Sequence, residues 1–176
     1  PLWYYETGAL VSSVAISADG KYIVAGGEDE KVYLFDKDSS TPLWTYGTGD
    51  IVWSVAISAD GEYITAGSQD GEAYLFDKNS STPLWNYTTG NVDGQQDVAI
   101  SADGEYIAVG SEGKKIYLFD KDSSTPLWSY ATGGAVYSVT ISDDGEYIVA
   151  GNSYYDSGTH GKLYLFGKDS STPLWS

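Results

Sequence analysis

The side chains that could do chemistry in this chain are few and of restricted type. His160 is the sole histidine and cysteine is absent, so disulfide scaffolds, thiolate metal sites, cysteine nucleophiles and multi-histidine centres have no residues to build them. His160 near Asp156 has the types of a base and its orienting carboxylate, although a lone imidazole in a polar loop is more simply a solvated one. Paired carboxylates stand at Glu28/Asp29/Glu30 and at Asp143/Asp144, the residue types of general acid–base work. They lie in turn-like segments of a very acidic chain, where solvated faces are the default. Spaced oxygen ligands recur at Asp36 and Asp38, at Asp77 with Asn79, and at Asp120 and Asp122, a weak calcium pattern. It lacks the third acid, the glycine and the terminal glutamate of a full calcium loop, and Asx and Ser/Thr turns ahead of a proline account for the same text. Asn79-Ser-Ser81 and Asn86-Tyr-Thr88 match the N-glycosylation acceptor pattern, a short one that recurs by chance.

The charge balance narrows the partners. Twenty-five acids face nine lysines in 176 residues, with no arginine, for a formal net charge of −16. That argues against nucleic acid and anionic membrane surfaces, and no apolar run has the length of a membrane span. The chain opens on Pro1 and contains no methionine, so it reads as an excised piece of something longer. Its redox compartment and location stay open.

The elements that must position these residues come from an internal repeat. Pro-Leu-Trp begins at Pro1, Pro42, Pro83, Pro126 and Pro173, and between these marks the text recurs, with SVAISADG at 13–20 and 54–61 and YLFDK at 33–37, 74–78 and 117–121. The repeats are 1–41, 42–82, 83–125 and 126–172, with 173–176 starting a fifth. In the second copy PLWTY (42–46), VWSVAIS (52–58), EYITAG (62–67) and EAYLFD (72–77) read as four short strands, rich in the β-branched and aromatic residues that suit a pleated surface. Asp-Gly at 19–20, 60–61, 103–104 and 144–145 marks a tight turn between the second and third. Helical periodicity is absent. In VYLFD (32–36) the apolar residues fall on both faces of the strand, which predicts sheets buried between neighbouring sheets. The all-β architecture with that property and this repeat length is a β-propeller, with about one four-stranded antiparallel blade per repeat.

The run 54–77 resembles a WD-repeat, with Phe-Asp at 35–36, 76–77 and 119–120 in the place of that family's Trp-Asp, and Phe166-Gly167 departing further. The Gly-His dipeptide of the WD family is missing. The run YLFDKDSSTPLWTYGTG (33–49) is similar to the quinoprotein, or PQQ-like, repeat, in which a Trp from each blade docks against its neighbour. The resemblance implies that each repeat gives the outermost strand of one blade followed by three inner strands of the next. Pro1–Thr7 is then an outermost strand without inner partners, and the strands at 136–166 need one that Pro173–Ser176 is too short to supply in full. Rings of these families usually hold seven or eight blades. Two chains forming one eight-bladed ring, a homodimer in which each first strand closes the other's last blade, is the favoured assembly. A four-bladed ring closed within one chain is the alternative.

The copies differ in specific places. The third gains two residues in TGNVDGQQD (89–97), and the fourth gains six in GNSYYDSGTHGKL (151–163). In antiparallel blades both loops fall on one face of the disc. Ser12, Trp53, Gln96 and Tyr137 hold matching places where the second strand begins, with Asp97 replacing a serine beside them. Resemblance to WD-like propellers implies that this position, near the central channel, contacts partners. With Tyr154, Tyr155, Asp156 and His160 in the long insertion, these residues form a candidate surface for a protein, peptide or glycan. Drift where packing does not hold the copies alike is the competing account, and makes the chain a purely structural module. The PQQ-like resemblance also invites a dehydrogenase with a calcium-held quinone. That family usually carries a vicinal cysteine pair beside the quinone, and this sequence matches the scaffold and none of the site. No enzyme activity and no cofactor are therefore expected, a degenerate cofactor-binding fragment being the last alternative. The same resemblance tilts localisation toward an extracytoplasmic or cell-surface setting.

Overall fold

The computed structural model describes residues 2–90, 94–154 and 160–176. The first blade comprises β1 (Val11–Ile16), β2 (Tyr22–Gly27), β3 (Lys31–Asp36) and β4 (Trp44–Gly47). The second comprises β5 (Val52–Ile57), β6 (Tyr63–Ser68), β7 (Glu72–Asp77) and β8 (Trp85–Thr88), and the third β9 (Gln96–Ile100), β10 (Tyr106–Ser111), β11 (Lys115–Asp120) and β12 (Trp128–Ala131). The fourth has β13 (Ala135–Ile141), β14 (Tyr147–Tyr154) and β15 (His160–Gly167). Strands pair antiparallel in chain order within each sheet, and β1, β5, β9 and β13 follow one another along the inner edge. In repeats two, three and four the Pro-Leu-Trp strand joins the preceding blade, with Trp44 opposite Leu34, Trp85 opposite Leu75 and Trp128 opposite Leu118. This is the order the family resemblance implied.

Local chemistry explains the elements. In the Ser-Ala-Asp-Gly turns, and in Ser142-Asp143-Asp144-Gly145 of the fourth copy, the aspartate before the glycine takes the serine hydroxyl and a backbone amide, as Asp60 does from Ser58 at 2.6 Å and from Glu62 N at 3.0 Å. The glycine holds φ near +74° at Gly61, a conformation a Cβ would penalise. The serine donation holds the carboxyls of Asp19, Asp103 and Asp144 below the usual range. In β7 Ala73, Tyr74, Leu75 and Phe76 are all buried, so both faces of that blade are covered, as the unbroken apolar runs predict.

Blades dock by one contact repeated along the chain. Trp44 packs on Phe76 with ring centroids 5.3 Å apart and donates its indole N–H to Lys78 O at 2.8 Å. Trp85 and Trp128 repeat this on Phe119 and Phe166, donating to Lys121 O and Lys168 O. At the hairpin end, Ala18 N donates to Ala59 O, Ala59 N to Ala102 O and Ala102 N to Asp143 O. Between them lie apolar cores, the first built from Val24, Val32 and Leu34 of one blade against Val52, Val55 and Phe76 of the next.

The four blades do not close within one chain: Val14 of β1 and Leu163 of β15 are 66% and 51% exposed, whereas Val55 and Ile116, their counterparts within the stack, are buried. The segment Pro173–Ser176 supplies only the first rung of the last blade's fourth strand. Leu174 N donates to Leu165 O at 2.7 Å, and Trp175 bridges Leu165. The reason is local, since the same tight turn that returns Leu43 to Leu34 returns Leu174 to Leu165. Meanwhile residues 2–7 lie along the open face of blade one, where Trp3 packs on Phe35 at 5.5 Å and donates to Lys37 O.

Candidate functional site

The inner strands β5, β9 and β13 begin side by side at the end of the molecule that carries the variable loops. In blades one, two and four the strand enters through a bulge. Val52 faces Ser68 and Ser54 faces Gly67, so Trp53 is squeezed out of register. Tyr137 is squeezed out in the same way between Val136 and Ser138, and Ser12 between Val11 and Ser13. A bulge residue escapes the pleat and is re-aimed away from the packed faces. Ser12 and Tyr137 are accordingly exposed and Trp53 half-buried.

Blade three departs from the equivalence read in the sequence. Its strand has no bulge, and Gln96 pairs directly with Ser111, the rung that Val52 and Val136 occupy in their blades. With no bulge residue in this strand, Gln96 takes a valine's seat rather than an exposed one. It is 1% exposed, and neither its amide nitrogen nor its amide oxygen has a hydrogen-bond partner among the described residues. Gly67 makes the seat possible: a Cβ there would meet Gln96 O at 2.8 Å.

Asp97, where other copies carry serine, joins three blades. Ser54 Oγ donates to Asp97 Oδ1 at 2.6 Å and Val139 N donates to Oδ2 at 2.7 Å. In the other blades a neutral serine does less: Val55 N donates to Ser13 Oγ at 3.1 Å. Trp53 is fixed by its own indole N–H, which donates to Gln69 Oε1 at 3.0 Å. The outcome is a cleft of about 70 Å³ lined by Trp53, Ser54, Gln95, Gln96, Asp97 and Tyr137.

A row of tyrosine hydroxyls runs beneath the same end. Tyr33 and Tyr74 donate to Asp29 and Asp70 at 2.5 and 2.6 Å, and Tyr117 and Tyr164 donate to Thr89 O and Thr132 O. Burial, reinforced by the neighbouring carboxylates, raises the Tyr33 and Tyr74 hydroxyls. Burial pushes Tyr117 up to about 12. Here Asp29 holds a tyrosine, a structural duty for one member of the Glu28/Asp29/Glu30 cluster.

The other candidates are placed as follows. Asp36, Asp77 and Asp120 accept the backbone amides of Asp38, Asn79 and Asp122 two residues on, the Asx turns expected as the alternative to calcium. Among the described residues no group of three or more His, Cys, Asp or Glu is placed to hold a metal ion. His160 opens β15 and is exposed. Tyr154 ends β14, while Tyr155 and Asp156 lie outside the described residues. A larger groove of about 320 Å³ at the constant end is lined by Tyr22, Asp36, Leu43, Trp44, Lys78 and Asn79, types that recur from copy to copy and mark the seam between blades. Sequence comparison among the copies finds Trp53, Gln96, Asp97 and Tyr137 but misses Ser54 and Gln95. Ser54 is identical in most copies, so no difference between them flags it, and only its bond to Asp97 does.

Comparison with known families agrees with this architecture. The WD domain, G-beta repeat model matches residues 4–36, and the model described as outer membrane protein assembly factor BamB matches residues 28–176. No curated protein matches the chain. The repeated Trp-to-Lys carbonyl docking, the four-stranded blades and a match over most of the length place the chain in the PQQ-like propeller family that the BamB model describes.

Proposed function

We propose that this chain is a non-enzymatic interaction scaffold whose variable end takes an extended protein or peptide segment, or a glycan, in the cleft between Trp53 and Tyr137. The observation that carries this reading is the buried amide of Gln96, with donor and acceptor both unpartnered in a cleft flanked by aromatic side chains. A buried polar group without a partner costs about 1–3 kcal/mol, and Gln96 keeps that cost beside the cleft that Trp53 and Tyr137 flank. Half-exposed aromatics on rigid strands add contact area at low entropic cost. WD-type repeats generally serve as scaffolds, and the matched family description, an outer membrane assembly factor, supports both a binding role and an extracytoplasmic setting.

Panning a displayed peptide library against the chain tests this. Enriched peptides should lose binding at least tenfold to the Trp53→Ala/Tyr137→Ala double variant. Equal binding to that variant, or no enrichment over several rounds, would sink the proposal.

A further inference from the structure

The two open ends of the blade stack complement each other in the terms the internal interfaces define. Gly26, Gly67 and Gly110 each lie so close to the next blade's inner strand that a Cβ would meet it at 2.4, 2.8 and 2.6 Å; Gly151, at the same place in blade four, has nothing within 4 Å among the described residues. The residue that fills this seat is Val52 at Gly26 and Val136 at Gly110, and their counterpart in blade one, Val11, stands half exposed. The rings of Tyr22, Tyr63 and Tyr106 cover Gly61, Gly104 and Gly145, whereas Gly20 is uncovered and Tyr147 is exposed. Polar groups follow the same sequence. Continuing the amide series sets Asp143 N against Ala18 O, and continuing the serine series sets Val14 N against Ser138 Oγ.

The missing strand fits as well. Transferring the pairing of β3 with β4 to blade four sets Trp3 opposite Leu165, Tyr5 opposite Leu163 and Glu6 opposite Lys162. Tyr5 then covers the exposed Leu163, and Glu6 meets a lysine. Leu174–Trp175 holds only the first rung of that position, so a longer strand can displace it. The open face of blade one, a hollow of about 180 Å³ bordered by Trp3, Tyr5, Val11, Val14 and Phe35, is apolar and is the face that a preceding blade covers elsewhere in the stack.

We propose that the occupant is a second copy of this chain: blade one of each copy seats against blade four of the other, and Leu2–Glu6 adds to the other copy's β15, closing one eight-bladed ring. Contacts that join unlike faces close into a ring when the rotation allows. The ring leaves no free blade edge.

Sedimentation equilibrium at about 0.15 M salt, where long-range repulsion between acidic copies is screened, should give twice the 18.9 kDa chain mass. Gly151→Val should halve that mass and leave the circular dichroism unchanged, because its Cβ meets nothing within one chain. Should that variant lose its β-signal, Val14→Glu at the exposed β1 position replaces it with the same expected halving. Deleting residues 1–7 should also give single chains, and deleting 173–176 should keep the doubled mass. A single-chain mass for the unaltered protein, a doubled mass for folded Gly151→Val, loss of the doubled mass on removing 173–176, or an open polymer growing with concentration each overturns the proposal.

Discussion

Gln96 sits in a seat that valine fills in blades two and four, and it carries two unpartnered amide atoms there. Valine suits the same rung, and Gln96→Val should raise stability by about 1 kcal/mol, the desolvation penalty removed being partly offset by lost side-chain volume. Urea unfolding checks this; a lower midpoint would show that the amide is already satisfied. If Gln96 serves a ligand, the stabilised variant should also lose binding, the usual conflict between stability and a binding-competent site. Asp97 shows the opposite economy. Its two oxygens are both used, one on Ser54 and one on Val139, so this carboxylate fastens neighbouring blades where a serine would fasten only one. In the sequence both residues stand out from the other copies, yet their separate roles depend on a bulge that composition does not announce.

The third strand of each blade delivers a buried tyrosine hydroxyl to the variable end, and the element responds to pH through it. An unfolded tyrosine loses its proton near pH 10, whereas Tyr117 on β11 holds its own to about 12. The folded form therefore binds the proton more tightly, so this contribution is intact below pH 10 and is lost as the pH rises toward 12. Tyr33 and Tyr74 act in the same direction. Denaturant midpoints should fall progressively from pH 10 upward, and Tyr117→Phe should show a shallower fall than the parent; an equal slope in both would remove Tyr117 from the account. The strands were legible in the sequence because both faces of runs such as VYLFD are apolar and Asp-Gly marks the hairpins. The bulges at Ser12, Trp53 and Tyr137 were not, because the extra residue is absorbed by pairing with a neighbouring strand rather than by anything local.

The molecule as a whole is a stack of blades held by repeated docking of Trp on Phe, under a net charge of −16. Self-repulsion of that size opposes the compact state and weakens as salt shortens the screening length from about 30 Å at 0.01 M to about 3 Å at 1 M. The melting temperature should rise by several degrees between those sodium chloride concentrations, as differential scanning calorimetry would show. A flat response would mean that the carboxylates are already compensated locally, as Glu62, Glu105 and Glu146 are by Lys78, Lys121 and Lys168.

The repeat, the strands, the hairpin turns and the family were determined by the sequence itself, because each rests on short-range chemistry: side-chain period, glycine at positive φ and a tryptophan at fixed spacing. Comparison among the copies also picked out Trp53, Gln96, Asp97 and Tyr137 of the candidate cleft. Only the tertiary structure decided what each of them does there. It moved Gln96 into a buried valine's place, spanned blades with Asp97, and set Trp175 on the rung expected for the first strand. It also left the seat at Gly151 open. These outcomes turn on which strand lies next to which, and long-range pairing is fixed by packing between blades rather than by any one segment's own preferences.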